Sequence, residues 1–143
     1  MRSYEYRHRV GFEDTNVVGN VYYANYIRWQ GRCREMFLHE HAPRLVHELN
    51  NGFAMATTRV SCSYFEELTA FDEVVVRMSA GNITPSRLTM LFRYYRVSPD
   101  GEETLVAEGE QEVVCIKRQN AGIEPIPLPE LLLDAVGQYM EPS

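Results

Sequence analysis

No apolar run in this chain approaches the roughly 20 residues needed to cross a bilayer, and the stretch Met1 to Arg7 lacks the apolar centre of a secretory signal. Those absences predict a cytoplasmic protein with no membrane partner. Cysteine is scarce: Cys33, Cys62 and Cys115 are odd in number, widely spaced and set among apolar or β-branched residues, which suits buried reduced thiols and not a disulfide framework. Positive charge is also short. Fourteen Lys and Arg against 20 Asp and Glu leave a net charge of -6, which argues against nucleic acid, since a polyanion is bound by clustered cations. An anionic group on a ligand must therefore meet a local basic patch.

Metal chemistry finds no support either. His39 and His41 are two residues apart, so on a helix they diverge, and no cysteine or carboxylate stands near them at ligand spacing. They read as exposed helix histidines, and no metal is expected. His8 and His47 show no partner in the sequence, no Ser/His/Asp triad can be assembled, and a glycine-rich phosphate loop is missing.

What is present is one domain's worth of chain. The 143 residues are 45% hydrophobic and 24% charged, with no low-complexity break, so a single domain over residues 1–143 is expected. Tyr4 to Phe12 alternates bulky and polar residues as a half-buried strand does, and runs into a turn-forming stretch from Glu13 to Asn20. From about Tyr23 to Asn50 the spacing of Tyr26, Trp29, Cys33, Met36 and Phe37 predicts one long helix, with Pro43 as its breaking point.

Four strands are predicted next, over Met55 to Glu66, Asp72 to Ala80, Arg87 to Val97 and Thr104 to Lys117, with Ser98-Pro99-Asp100-Gly101 as a hairpin turn. They read as an antiparallel meander. Pro129 to Tyr139 carries Leu131, Leu132, Ala135 and Val136 on one face of a short capping helix. The fold class is therefore α+β, a helix packed on a five-stranded antiparallel sheet. Such a sheet leaves strand edges open, so self-association is expected.

The junction from Phe12 to Tyr26 is a polar loop feeding a helix N-terminus, where backbone N–H groups lack helical partners and the helix dipole favours negative charge. It can bind the oxyanion of an acyl transfer. Equally, Asp14, Thr15 and Asn16 can simply form a turn and cap the helix.

The pattern Asp14-Thr15-Asn16-x-x-Gly19-x-Val21-Tyr22-x-x-x-Tyr26 resembles the signature of the 4-hydroxybenzoyl-CoA thioesterase branch of the hotdog superfamily. The order of elements matches along nearly the whole chain. This resemblance implies a hotdog fold, with the sheet wrapped around one long central helix, dimers joined edge to edge with active sites at their interface, and dimers paired into a homotetramer. Where that branch usually carries a third-position aspartate, this chain has Asn16; a histidine of some relatives is Tyr23 here, and a catalytic glutamate position of other branches falls at Gly31. Asparagine cannot accept a proton or attack as a carboxylate does.

Asn16 combined with Arg34 is similar to the thioesterases associated with enediyne polyketide synthases. That resemblance implies hydrolysis of a β-keto polyene thioester from an acyl carrier protein, followed by loss of carbon dioxide to give a methyl ketone. No cofactor is implied, the acyl group being carried on phosphopantetheine. The implied catalytic residues are Asn16, Arg34, Tyr26 and Tyr23, the last through its backbone N–H. Chemically the set is reasonable, because an amide both donates and accepts while Arg34 is a permanent cation. Arg34 can equally be a surface residue paired with Glu35.

Gly19, Trp29, Cys33, Met36, Phe37, Met55 and Phe65 are candidates to surround the acyl chain, although aromatic and Met residues at helical spacing also make ordinary core. Gly31 within the helix suggests close approach of the acyl chain or of a strand. Arg28, Arg32, Arg59 and especially Arg87 are candidates to grip the pantetheine phosphate or an acidic carrier protein. The alternatives are a general acyl-CoA thioesterase and a non-catalytic acyl-binding hotdog protein.

Overall fold

A computed structural model describes residues 2–49, 51–119 and 122–140. Strand β1 (Tyr4–Arg9) is followed by a 3-10 turn over Phe12–Asp14, so the expected strand ends earlier than Phe12. Helix α1 covers Ala24–His41, and α2 covers Pro43–Glu48. The break predicted at Pro43 is present: Ala42 leaves helical geometry at φ -144° and ψ 52°, because the residue before a proline is pushed out of the α region. Asn50, the expected helix end, lies outside the described residues.

Strands β2 (Phe53–Tyr64), β3 (Glu73–Ile83), β4 (Arg87–Val97) and β5 (Glu103–Gln119) follow, joined by a short β6 (Gly122–Pro125) that the sequence reading did not include. Helix α3 (Glu130–Val136) and a 3-10 turn at Gly137–Tyr139 complete the described chain. The turn after β4 closes with the Gly101 N–H donating to Ser98 O at 2.8 Å.

The pairings between these strands are antiparallel, as expected, but the order across the sheet is β1-β3-β4-β5-β2, with β6 continuing beside β5. The simple meander is thereby corrected, since β2 pairs with β5 at the far side and is not paired with β3. The reason is the loop after β2, which carries the chain under the motif loop: Val21 N–H donates to Leu68 O at 2.8 Å, and Phe71 N–H to Val10 O at 2.8 Å.

The curled sheet and α1 enclose one hydrophobic cluster, in which Trp29, Cys33 and Phe37 from the helix meet Val74, Val76, Met90, Phe92 and Val113 from the strands. Burial of each large side chain contributes on the order of 2 kcal/mol, which is why the apolar stripe of α1 fixes its orientation. Among the described residues, no helix is long and apolar enough to cross a membrane.

Candidate active site

The motif loop is built around Asp14. Its Oδ2 accepts the Gly11 N–H at 2.9 Å and contacts His8 Nε2 at 2.9 Å, while its backbone carbonyl accepts from Tyr22 N–H at 2.9 Å and Asn25 Nδ2 at 2.8 Å. One residue thus joins β1, the loop and the start of α1. His8, which showed no partner in the sequence, has one here. His41 also departs from the exposed reading: Tyr139 Oη lies 3.0 Å from its Nε2, and its ring packs against Tyr4, Phe37 and Tyr139.

Asn16 is exposed. Its Oδ1 accepts the Val18 N–H at 3.1 Å, its N–H donates to Asn20 O at 2.9 Å, and its carbonyl accepts from Gly19 N–H at 3.0 Å. Gly19 closes this turn at φ +93°, a left-handed conformation that side chains resist. Asn16 Nδ2 forms no hydrogen bond among the described residues.

At the start of α1, Asn25 N–H donates to Tyr22 O and Tyr26 N–H to Tyr23 O, so the N–H groups of Tyr23 and Ala24 have no partner among the described residues. Beside them opens a cavity of about 240 Å³ lined by Tyr23, Tyr26, Tyr64 and Phe65, with Asn20, Val21, Glu66 and Glu67 completing its wall. Tyr26 is buried, and burial raises its phenol to about 12, with a Leu68 backbone contact partly opposing the rise. Its ring stands nearly perpendicular to that of Tyr64, with centroids 4.8 Å apart. Tyr64 Oη donates to Tyr23 O at 2.9 Å, and Tyr94 Oη donates to Tyr26 O at 2.6 Å.

Tyr26, Gln30 and Arg34 recur every four residues, which puts them on one stripe of α1, with Arg34 about 12 Å from Tyr26 along the axis. Arg34 does not pair with Glu35, because that carboxylate is taken by Arg32 at 3.0 Å. Instead, Arg34 turns inward and its Nη1 donates to Thr57 Oγ1 at 3.1 Å and Gln111 Oε1 at 3.0 Å. No carboxylate pairs with it among the described residues, and burial lowers its pKa, partly offset by the nearby Cys115. Burial in turn raises the Cys115 thiol to about 11.

The structure therefore brings Tyr23, Tyr26 and Phe65 to one cavity, with Asn16 four residues upstream of the wall residue Asn20 and Arg34 farther along the helix. Trp29, Cys33, Phe37 and Met55 lie in the hydrophobic cluster, Met36 packs against it, and none of them lines this cavity. Gly31 is exposed, and an added Cβ would meet nothing within 4 Å, so no strand among the described residues approaches it. Arg87 pairs with Glu112 at 2.9 Å, Arg59 with Glu110 at 3.3 Å, and Arg28 reaches Asn25 Oδ1 at 3.5 Å. Tyr64, Gln30 and Gln111 were not singled out by the sequence reading. Only Gln30 left a signal there, as an amide within the apolar stripe of α1.

Residues 10–136 match the family model described as the thioesterase-like superfamily. The acyl-CoA thioester hydrolase YbgC of Escherichia coli is 30% identical over 109 residues, covering 76% of this chain and 78% of that protein. The dynemicin thioesterase, whose crystal structures describe induced-fit and allosteric effects upon polyene binding, is 44% identical with a TM-score of 0.95, covering 99% of this chain and 100% of that one. 4-Hydroxybenzoyl-CoA thioesterase, solved with 4-hydroxybenzoyl-CoA, shares the fold at 18% identity and a TM-score of 0.83, covering 95% and 99% of the two chains. With a hotdog sheet, a tyrosine-walled cavity at a helix N-terminus and these relatives, the chain belongs to the thioesterase-like superfamily and acts on acyl thioesters.

Proposed function

We propose that this chain hydrolyses a β-keto polyene thioester held on the phosphopantetheine arm of an acyl carrier protein in enediyne polyketide biosynthesis. The observation that carries this reading is the full-length similarity to the dynemicin thioesterase at 44% identity, joined to an asparagine at position 16 and a half-buried Arg34 without a carboxylate partner among the described residues.

In this reading the thioester carbonyl sits at the N-terminus of α1, where the unpartnered Tyr23 N–H stabilises the oxyanion. Tyr26 closes the apolar wall and presents a neutral phenol. A bound water, oriented by the Asn16 side-chain amide, is the nucleophile, with no side-chain carboxylate acting as base. Water adds to the carbonyl, the tetrahedral intermediate collapses, and the phosphopantetheine thiol leaves with a proton. The β-keto acid then loses carbon dioxide to give a methyl ketone. Arg34 lies too far along the helix to share the Tyr23 donor within one subunit, and supplies positive charge to a second anionic point of the substrate.

The chain works as a dimer of dimers. The outer edge of β2 is unpaired among the described residues and exposed from Thr57 to Ser61, which supports edge-to-edge pairing and brings a second subunit beside Arg34. Arg87 contributes to the pantetheine phosphate, exchanging its Glu112 partner for it.

The test is release of free acid from a synthetic β-ketoacyl thioester, on coenzyme A and on a carrier protein, with wild type, Asn16→Ala, Asn16→Asp and Arg34→Ala. Turnover by wild type, faster from the carrier protein and lost in both alanine variants, supports the proposal. Equal turnover from coenzyme A makes it a general acyl-CoA thioesterase, and binding without turnover makes it an acyl-binding protein. Either result overturns the carrier-specific reading.

A further inference from the structure

Beneath α1, Arg34 begins a chain of neutral amides. Its Nη1 donates to Gln111 Oε1 at 3.0 Å, Gln111 Nε2 donates to Gln30 Oε1 at 3.3 Å, and Gln30 Nε2 donates to Ser61 O at 3.0 Å. The two ends fix the direction of every bond between them. Arg34 has only donors and the Ser61 carbonyl only accepts, so each amide must turn its oxygen towards Arg34 and its nitrogen towards Ser61. Gln30 and Gln111 are 0% and 4% exposed, so neither amide is in place for solubility. Room for the chain is made at Gly109, where any Cβ would collide with Gln30 Nε2 and stand 2.5 Å from Ser61 O.

Arg34 is half-buried, and an arginine turned into the protein is ordinarily paired with a carboxylate. Here the two carboxylates flanking Gln111 in sequence are engaged elsewhere: Glu110 with Arg59 and Glu112 with Arg87 and Thr58. The groups meeting Arg34 are Thr57 from β2, Gln111 and the Cys115 thiol from β5, and, through Gln111, Gln30 of its own helix. None of them carries a formal negative charge at neutral pH. Arg34 Nε and Nη2 make no hydrogen bond among the described residues, which leaves the Nε–H and both Nη2 N–H groups as donors for a ligand.

We infer that Gln30 and Gln111 are positioning residues that aim the Arg34 guanidinium while leaving its charge uncompensated for an anionic group of the substrate. This rests on the reading of Arg34 as part of the thioesterase site. An amide orients the cation as well as a carboxylate would, but only the amide leaves the full charge available where anionic character develops.

Gln111→Glu separates orientation from charge, because it keeps an acceptor on Arg34 and adds a counter-ion. Hydrolysis of a β-ketoacyl thioester is followed in wild type, Gln111→Glu and Arg34→Ala from about pH 5 to about pH 9, beside the thermal unfolding midpoint of each. The expected result is a Gln111→Glu variant that folds at least as stably as wild type yet loses kcat by about 10-fold or more at the alkaline end, its rate relative to wild type falling as the introduced carboxyl ionises. A purely structural role predicts activity that follows stability.

Wild-type kcat in Gln111→Glu across the range, with Arg34→Ala inactive, overturns the inference and leaves the site reading standing. Wild-type kcat in Arg34→Ala overturns both. Should Gln111→Glu not fold, Gln30→Met takes its place, since it fills a similar volume and removes the amide that orients Gln111; a fall in kcat with KM held supports the inference, and unchanged kcat overturns it.

Discussion

His8 Nε2 lies 2.9 Å from Asp14 Oδ2, and the same carboxylate oxygen accepts the Gly11 N–H at 2.9 Å, so the edge strand β1 is tied to the loop that carries Asn16. Asp14 is nearly buried, at 9% exposure, and loss of its carboxylate leaves the Gly11 N–H without its acceptor. Asp14→Ala is expected to destabilise the fold by about 1–3 kcal/mol, measured by urea unfolding. The bonds from Tyr22 and Asn25 go to the Asp14 backbone carbonyl and survive, so activity should fall less than in Asn16→Ala.

Gly109 tests the packing of the amide chain. Gly109→Ala places a methyl group against the backbone oxygen of Ser61, which β-pairing with β5 prevents from retreating. Overpacking of this kind costs about 1–3 kcal/mol. A variant that unfolds at the wild-type denaturant midpoint would show that β2 yields at this point.

The tyrosines around the cavity predict alkaline sensitivity. Burial raises Tyr26 from 10.0 to about 12. The proton is therefore held more tightly in the folded chain than in the unfolded one. Its contribution to stability is fully present below pH 10 and is lost as pH rises towards about 12. Chemical denaturation across that window should show a falling midpoint, and Tyr26→Phe should flatten part of the slope. Because the phenol stays neutral well above pH 8, a tyrosinate base plays no part at ordinary pH.

Tyr94→Phe removes the hydroxyl that donates to Tyr26 O at 2.6 Å in a fully buried setting. The expected loss is about 1 kcal/mol, read from thermal unfolding. A loss of activity greater than the loss of folded protein would connect this bond to the placement of the Tyr23 and Tyr26 end of α1.

The helix break at Pro43, the turn at Ser98 to Gly101 and the bounds of β4 were legible in the sequence because each depends on residues close in the chain. A proline excludes the α conformation one residue earlier, Asp-Gly favours a tight reversal, and alternation over ten residues marks a strand. The motif from Asp14 to Tyr26 was legible for the same reason, as a loop and helix start built from consecutive residues.

Only the tertiary structure decided what those residues face. The sequence left Arg34 as either a surface ion pair or a charged site residue, and its placement depends on Gln111, 77 positions away, and on Thr57 across a different strand. His8 gained its partner because β1 ends where the motif loop begins. Trp29, Cys33, Phe37 and Phe65 all read as candidates for one apolar tunnel, yet the first three point into the core and Phe65 into the cavity wall. Local spacing sets which side chains share a stripe of α1. The sheet order β1-β3-β4-β5-β2 determines what each stripe meets, and that order is fixed by long-range pairing that no short stretch of sequence encodes.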